Sequence, residues 1–162
     1  MGMTIRGLKG FRTRLPLTRP YHLSLVTLDH FESILVRIQA NGQEGFGETT
    51  NVPGYFHETP GDAWHLIEKW APKIITRNPE SVLREINETE KPLSFAATPL
   101  VTALEELLHP PNQPDKERLT LPLLGVVQGE DTAALVADAE RLQDLGFGTL
   151  KFKVGFDVEQ DL

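Results

Sequence analysis

The sequence predicts an α+β domain, a three-stranded antiparallel meander packed by helices, followed by the first βαβ unit of a truncated parallel α/β barrel. Three observations carry this reading. Asn41-Gly42 joins two alternating runs, a dipeptide suited to the positive φ angles of a tight hairpin. Three helix-start signals follow in succession: Thr59-Pro60, Asn78-Pro79 and Thr98-Pro99. An apolar run, an amphipathic pattern and a second alternating run then come in the order strand, helix, strand, which implies parallel strands.

Met3 to Leu15 reads as the first strand, with Ile5, Phe11 and Leu15 in phase and Pro16 as its stop. Residues 16–30 then form a polar loop with aromatic points, among them Arg19, Tyr21, His22 and His30. Ile34, Val36, Ile38 and Ala40 alternate with Ser33, Arg37 and Gln39, so the second strand buries one face. Glu44 to Thr49 returns antiparallel as the third. Gly45-Phe46-Gly47-Glu48 looks like part of a phosphate-cradling loop, but position 50 is Thr50 and no parallel βα turn surrounds it. Glycines that permit close packing are the better account. Thr50 to His57 is a loop carrying Val52, Pro53, Tyr55 and Phe56, folded over its own small core or facing a substrate.

Thr59-Pro60-Gly61-Asp62 supplies an N-cap, a proline at the first helical position and an acid at the third. Trp64, Ile67, Ala71 and Ile74 recur behind it at helical spacing. Asn78-Pro79-Glu80 opens a second helix, with Val82, Leu83 and Ile86 inward. Thr98-Pro99 opens a third, packing Leu100, Ala103, Leu104, Leu107 and Leu108. Residues 110–118 are polar and proline-rich, the best linker in the chain, so the expected domains are 1–118 and 119–162. In the second, Leu119 to Val127 is a strand, Asp131 to Leu145 a helix and Leu150 to Val154 another strand.

In that last run Leu150, Phe152 and Val154 alternate with Lys151 and Lys153. Two lysines on the wet face of an antiparallel strand would be the ordinary reading. The helix before them and Gly155 after them argue instead for a parallel barrel strand, whose C-terminal end opens onto an active site. Side chains two apart on a strand lie ~7 Å apart. In a low-dielectric pocket each ammonium disfavours the other, so one can lose its proton near neutral pH and serve as a base.

Composition excludes several classes. The 162 residues suffice for one cored domain but fall short of a full barrel, which needs at least ~200. Cysteine is absent, which removes disulfides, thiolate metal sites and a cysteine nucleophile, and fits a reducing cytoplasmic setting. A net charge of −7 argues against nucleic acid as a partner, and no apolar run is long enough to cross a membrane. The five histidines show no metal-site spacing and read as ordinary surface or half-buried residues.

The order of these parts, ending in Lys151-Phe152-Lys153-Val154-Gly155, resembles the mandelate racemase/muconate lactonizing enzyme group of the enolase superfamily. The resemblance spans nearly the whole chain, but only the N-terminal part of such an enzyme. It implies a capping domain followed by the start of a TIM-like barrel. It further implies Lys153 as the base that removes a proton beside a carboxylate, with Lys151 aiding substrate binding and depressing its neighbour's pKa. Two cap loops, here most like residues 16–28 and 49–57, would select the substrate through Tyr21, Leu23, Val52, Tyr55 and Phe56. The family's Mg²⁺ or Mn²⁺ is held by acids on later barrel strands, which would lie beyond Leu162, so no metal ligand is expected among these residues. Pro99 departs from the family, falling where its helix commonly runs unbroken.

Two classes of function stay open. One is the N-terminal part of a metal-dependent racemase, epimerase, cycloisomerase or dehydratase acting on a small carboxylate. The other is a non-catalytic remnant or binding module with the same fold. Apolar and aromatic cap residues favour the muconate lactonizing branch, with sugar-acid dehydration as the runner-up. A homo-oligomer is expected.

Overall fold

The computed structural model describes residues 2–23, 25–90, 95–110 and 120–154. Among these residues the elements in order are β1 (Ile5–His22), β2 (Thr27–Ala40), β3 (Gln43–Asn51), α1 (Pro60–Ile74), α2 (Pro79–Thr89), α3 (Thr98–Leu108), β4 (Leu124–Val126), α4 (Thr132–Asp144) and β5 (Thr149–Lys151). They fall into two compact units, Met1–Pro20 with Leu28–Gln113, and Tyr21–Thr27 with Pro114–Leu162. The expected boundary between residues 118 and 119 lies outside the described residues, as do Leu119 and Gly155. That the end of β1 groups with the second unit was not foreseen.

The first unit is the three-stranded meander, in the order β1-β2-β3, with α1 to α3. Asn41 and Gly42 take φ angles of 48° and 82°, the left-handed pair a two-residue hairpin requires, and they set the register Ala40↔Gln43. Register then places Ile34, Val36, Ile38 and Ala40 on the buried face, as the alternation predicts. Opposite them lie Ile67, Trp70, Ile74, Val82, Ile86, Leu100 and Leu104 in one continuous core. Gly45 and Gly47 let α3 ride on the backbone of β3. A Cβ on Gly45 would come within 2.0 Å of the Ala103 carbonyl oxygen.

Several expectations are corrected here. β1 does not stop at Pro16 but runs to His22, and β2 begins at Thr27, so most of the expected loop of 16–30 is strand. Proline is tolerated because β1 is an edge strand: Pro16 and Pro20 are four apart, so both missing N–H groups fall on one side of the strand. Phe11 and Leu15 are half-exposed rather than in phase with the core. Leu8 packs on the core and Gly10 against Trp64, at odd spacings from Ile5, so one parity of β1 does not stay inward. In α1 the buried stripe is Ala63, Leu66, Ile67, Trp70 and Ile74, with Trp64 and Ala71 on its margin.

The helix starts agree with their signals. Thr59 accepts from the Asp62 N–H at 3.2 Å while the Asp62 carboxylate accepts from the Thr59 N–H at 2.7 Å, a reciprocal capping box. Asn78 caps α2 through the Ser81 N–H at 3.1 Å. Thr98 starts α3 as its first residue, with Ala97 at the cap position and no side-chain cap bond.

In the second unit β4 and β5 pair in parallel, Gly125 opposite Leu150, with α4 between them in sequence. Asp131 caps α4 by accepting from the Ala134 N–H at 2.8 Å. Both strands are three residues long, shorter than the runs 119–127 and 150–154 predict. Leu121, Leu123 and Val154 remain more than 70% exposed at 73, 71 and 74%.

Candidate active site

A parallel βαβ unit offers chemistry where its strands end, because the chain there leaves the sheet and its side chains are freed. β4 ends at Val126 and β5 at Lys151, and the Val127 N–H still donates to the Lys151 carbonyl at 3.0 Å. Gln128 and Lys153 lie just past these two ends. The end of β1, which groups with the same unit, meets both of them.

Lys153 is half-buried, and its Nζ donates to the His22 carbonyl oxygen at 3.0 Å. The same Nζ sits 3.7 Å from the centroid of the Tyr21 ring, a cation–π arrangement. Adjacent residues of β1 thus hold one amine through a backbone acceptor and a ring face. The His22 N–H in turn donates to Gln128 Oε1 at 3.4 Å, and the Gln128 N–H donates to Asp138 Oδ2 at 3.0 Å. Arg141 closes the series by donating to Asp138 Oδ1 from Nε at 2.9 Å. Between β1 and β2, the Leu23 N–H donates to the Val26 carbonyl at 3.0 Å and the His22 ring meets Thr27 Oγ1 at 3.2 Å.

Tyr21 and Lys153 are therefore brought together, and Leu23 is half-buried in the turn beside them. Lys151 is exposed and engages β4 through its backbone. Val52, Tyr55 and Phe56 belong to the first unit. There the Tyr55 N–H donates to the Val52 carbonyl at 3.1 Å, and Phe56 stacks on Phe95 with centroids 4.8 Å apart. Tyr55 and Phe56 are both about half-exposed, at 49 and 50%. Sequence reasoning missed Gln128 and the His22 backbone. Gln128 carried a usable signal, following an apolar run at the end of a first parallel strand, whereas a carbonyl carries none.

What this arrangement can do follows from one amine. Lys153 can donate to an anionic oxygen or, as the free amine, take a proton from carbon. Among the described residues no group of three or more His, Asp or Glu side chains could hold a metal ion, so these residues do not fit one. No helix among the described residues is long and apolar enough to cross a membrane.

No protein-family model matches the chain, nor does any curated protein sequence. Solved structures do match. N-succinyl Arg/Lys racemase from Bacillus cereus superposes with a TM-score of 0.83 at 22% identity, over 98% of this chain and 46% of its own. Muconate lactonizing enzyme from Pseudomonas fluorescens, complexed with muconolactone, gives 0.78 at 24%, over 99% and 48%. A dipeptide epimerase from Cytophaga hutchinsonii, complexed with Mg and the dipeptide D-Ala-L-Val, gives 0.82 at 22%, over 98% and 46%. The chain spans about half the length of these proteins. At such identities the likeness is one of fold: a meander with helices and the start of a parallel sheet, as in the capping domain of enolase-superfamily enzymes.

Proposed function

We propose that this chain is the capping domain and opening barrel strands of an enzyme that removes the α-proton of a carboxylate substrate. Lys153 is the base in this reading, and Lys151 binds the substrate's carboxylate. The observation that carries it is the position of Lys153 just past the C-terminal end of β5, a strand parallel to β4, on a fold shared with racemases and epimerases.

A proton on carbon beside a carboxylate is far less acidic than a lysine ammonium, so the reaction depends on stabilising the charge left behind. Lys153 as free amine would take the proton at Nζ, and the Lys151 ammonium would attract the negative oxygens. Electrostatic stabilisation of this kind is commonly the largest single term in such catalysis.

The substrate class is proposed from the apolar residues. Tyr21 and Leu23, in the same unit as Lys153, offer a ring and an apolar side chain suited to a hydrophobic body, because a sugar acid's hydroxyls need more hydrogen-bond partners than these side chains offer. The muconate lactonizing branch, including cycloisomerases and dipeptide epimerases, is therefore favoured. This reading has the enzyme working as a homo-oligomer in the cytoplasm, where the absence of cysteine is at home.

The test is exchange of the substrate α-proton with solvent deuterium by the protein that contains this chain, with Mg²⁺ present and a panel of carboxylates. Lys153→Ala should abolish exchange while carboxylate binding survives. Unchanged exchange would remove Lys153 from the base role, and preference for polyhydroxylated sugar acids would overturn the substrate class.

A further inference from the structure

We propose that Tyr21 and Gln128 are positioning residues for Lys153, acting through the end of β1. The inference deepens the proposed function, since its catalytic meaning rests on Lys153 being the base.

A lysine side chain has four rotatable carbons and loses considerable rotamer freedom when its amine is held in place. A base on such a stem needs partners that fix Nζ without consuming it. Lys153 has two of the right kind: the His22 carbonyl at 3.0 Å, which takes one hydrogen, and the Tyr21 ring at 3.7 Å, which takes none from a lone pair. Neither is a carboxylate, so neither competes as a permanent counter-ion for the amine.

The carbonyl is useful only if the end of β1 is itself fixed. Gln128 does this by accepting the His22 N–H through Oε1 at 3.4 Å, so one residue of β1 is gripped on its N–H by Gln128 and on its carbonyl by Lys153. Gln128 is fixed in its turn, because its N–H donates to Asp138 Oδ2 at 3.0 Å, on α4. The two post-strand residues of the βαβ unit are thereby coupled through His22, and the helix between their strands sets the origin. A glutamine serves where a charged side chain would not, since its Oε1 accepts from the N–H without adding charge near the amine.

The experiment is competitive acetylation of the intact chain with limiting acetic anhydride, read by mass spectrometry as the labelling ratio of Lys153 to Lys151. Lys69, ion-paired with Glu90, reports on folding of the first unit in the same sample, while Tyr21→Phe separates loss of the ring contact from unfolding of the second. Tyr21→Leu should raise the Lys153:Lys151 ratio about threefold, the weight of one exposed cation–π contact, while Tyr21→Phe keeps the ring and leaves the ratio unchanged. Gln128→Ala should raise it as well, with Lys69 unaffected. An unchanged ratio in either Tyr21→Leu or Gln128→Ala overturns the proposal, as does a rise in Tyr21→Phe equal to that in Tyr21→Leu. Failure here is distinct from failure of the proposed reaction, because labelling reads the amine's surroundings and proton exchange reads its chemistry.

Discussion

Gly47 lies so close to Pro99 that a Cβ on the glycine would stand 2.0 Å from the proline's carbonyl oxygen. The obstacle is backbone at the start of α3, so no rotamer change relieves it. Gly47→Ala should therefore destabilise the first unit by about 3 kcal/mol, the upper part of the range for overpacking. Both tryptophans, Trp64 and Trp70, lie on α1, so tryptophan fluorescence during urea unfolding reads this unit. A midpoint within error of the parent's would show that α3 can shift away.

Thr59→Ala removes the hydroxyl half of the α1 capping box and leaves the Asp62 N–H without its side-chain acceptor. The expected cost is about 1 kcal/mol. Thr59→Ser keeps the acceptor and should restore most of it in the same unfolding measurement. Equal losses in the two variants would point to the methyl group rather than the cap.

Glu90 links stability to acid. Burial alone would raise its carboxyl, but hydrogen bonds from Lys69 at 2.6 Å and Trp70 at 3.0 Å outweigh that, and the group lies below its ordinary value. A carboxyl lowered by folding stabilises the fold above its unfolded value, and that contribution is lost as pH falls through the lower folded value. Lys69→Met should thus weaken the first unit at neutral pH and flatten the acid limb of its stability. An acid limb as steep as the parent's would exclude this pair as a source.

The second unit leaves Leu121, Leu123 and Val154 at 73, 71 and 74% exposure beside a two-stranded sheet. Such short sheets with apolar surface associate unless covered. The chain should self-associate in sedimentation at micromolar concentration, and Leu121→Lys with Leu123→Lys should reduce it. A monomeric parent at high concentration would contradict this.

Where the controlling interactions are local, the sequence was readable. Asn41-Gly42, the Thr59 to Asp62 box and the Asn78 cap each involve residues at most three apart, and each formed as its signal predicts. Gly45 and Gly47 announced close packing without naming α3 as the partner. β1 runs past Pro16 because a proline stops a central strand but not an edge one, and edge position is a property of the whole sheet that local sequence does not carry. Parity with Ile5 puts Phe11 and Leu15 inward, yet the strand changes its inward face between Ile5 and Leu8. At the site, the lysines stand out in a short alternating run. Their setting does not, since the acceptor on Lys153 is a backbone carbonyl that any residue at position 22 would offer.

The hydrogen bonds on His22 have a temporal side. Its N–H partner Gln128 comes 106 residues later in the chain and its carbonyl partner Lys153 comes 131 residues later. At about 5–20 residues per second of synthesis, the end of β1 leaves the ribosome on the order of ten seconds before either partner exists. The β2–β3 hairpin, closed across two residues, has no such delay. Nascent chains should accordingly complete the meander while Tyr21 and His22 are still without Gln128 and Lys153, and the amine is seated only when translation passes residue 153.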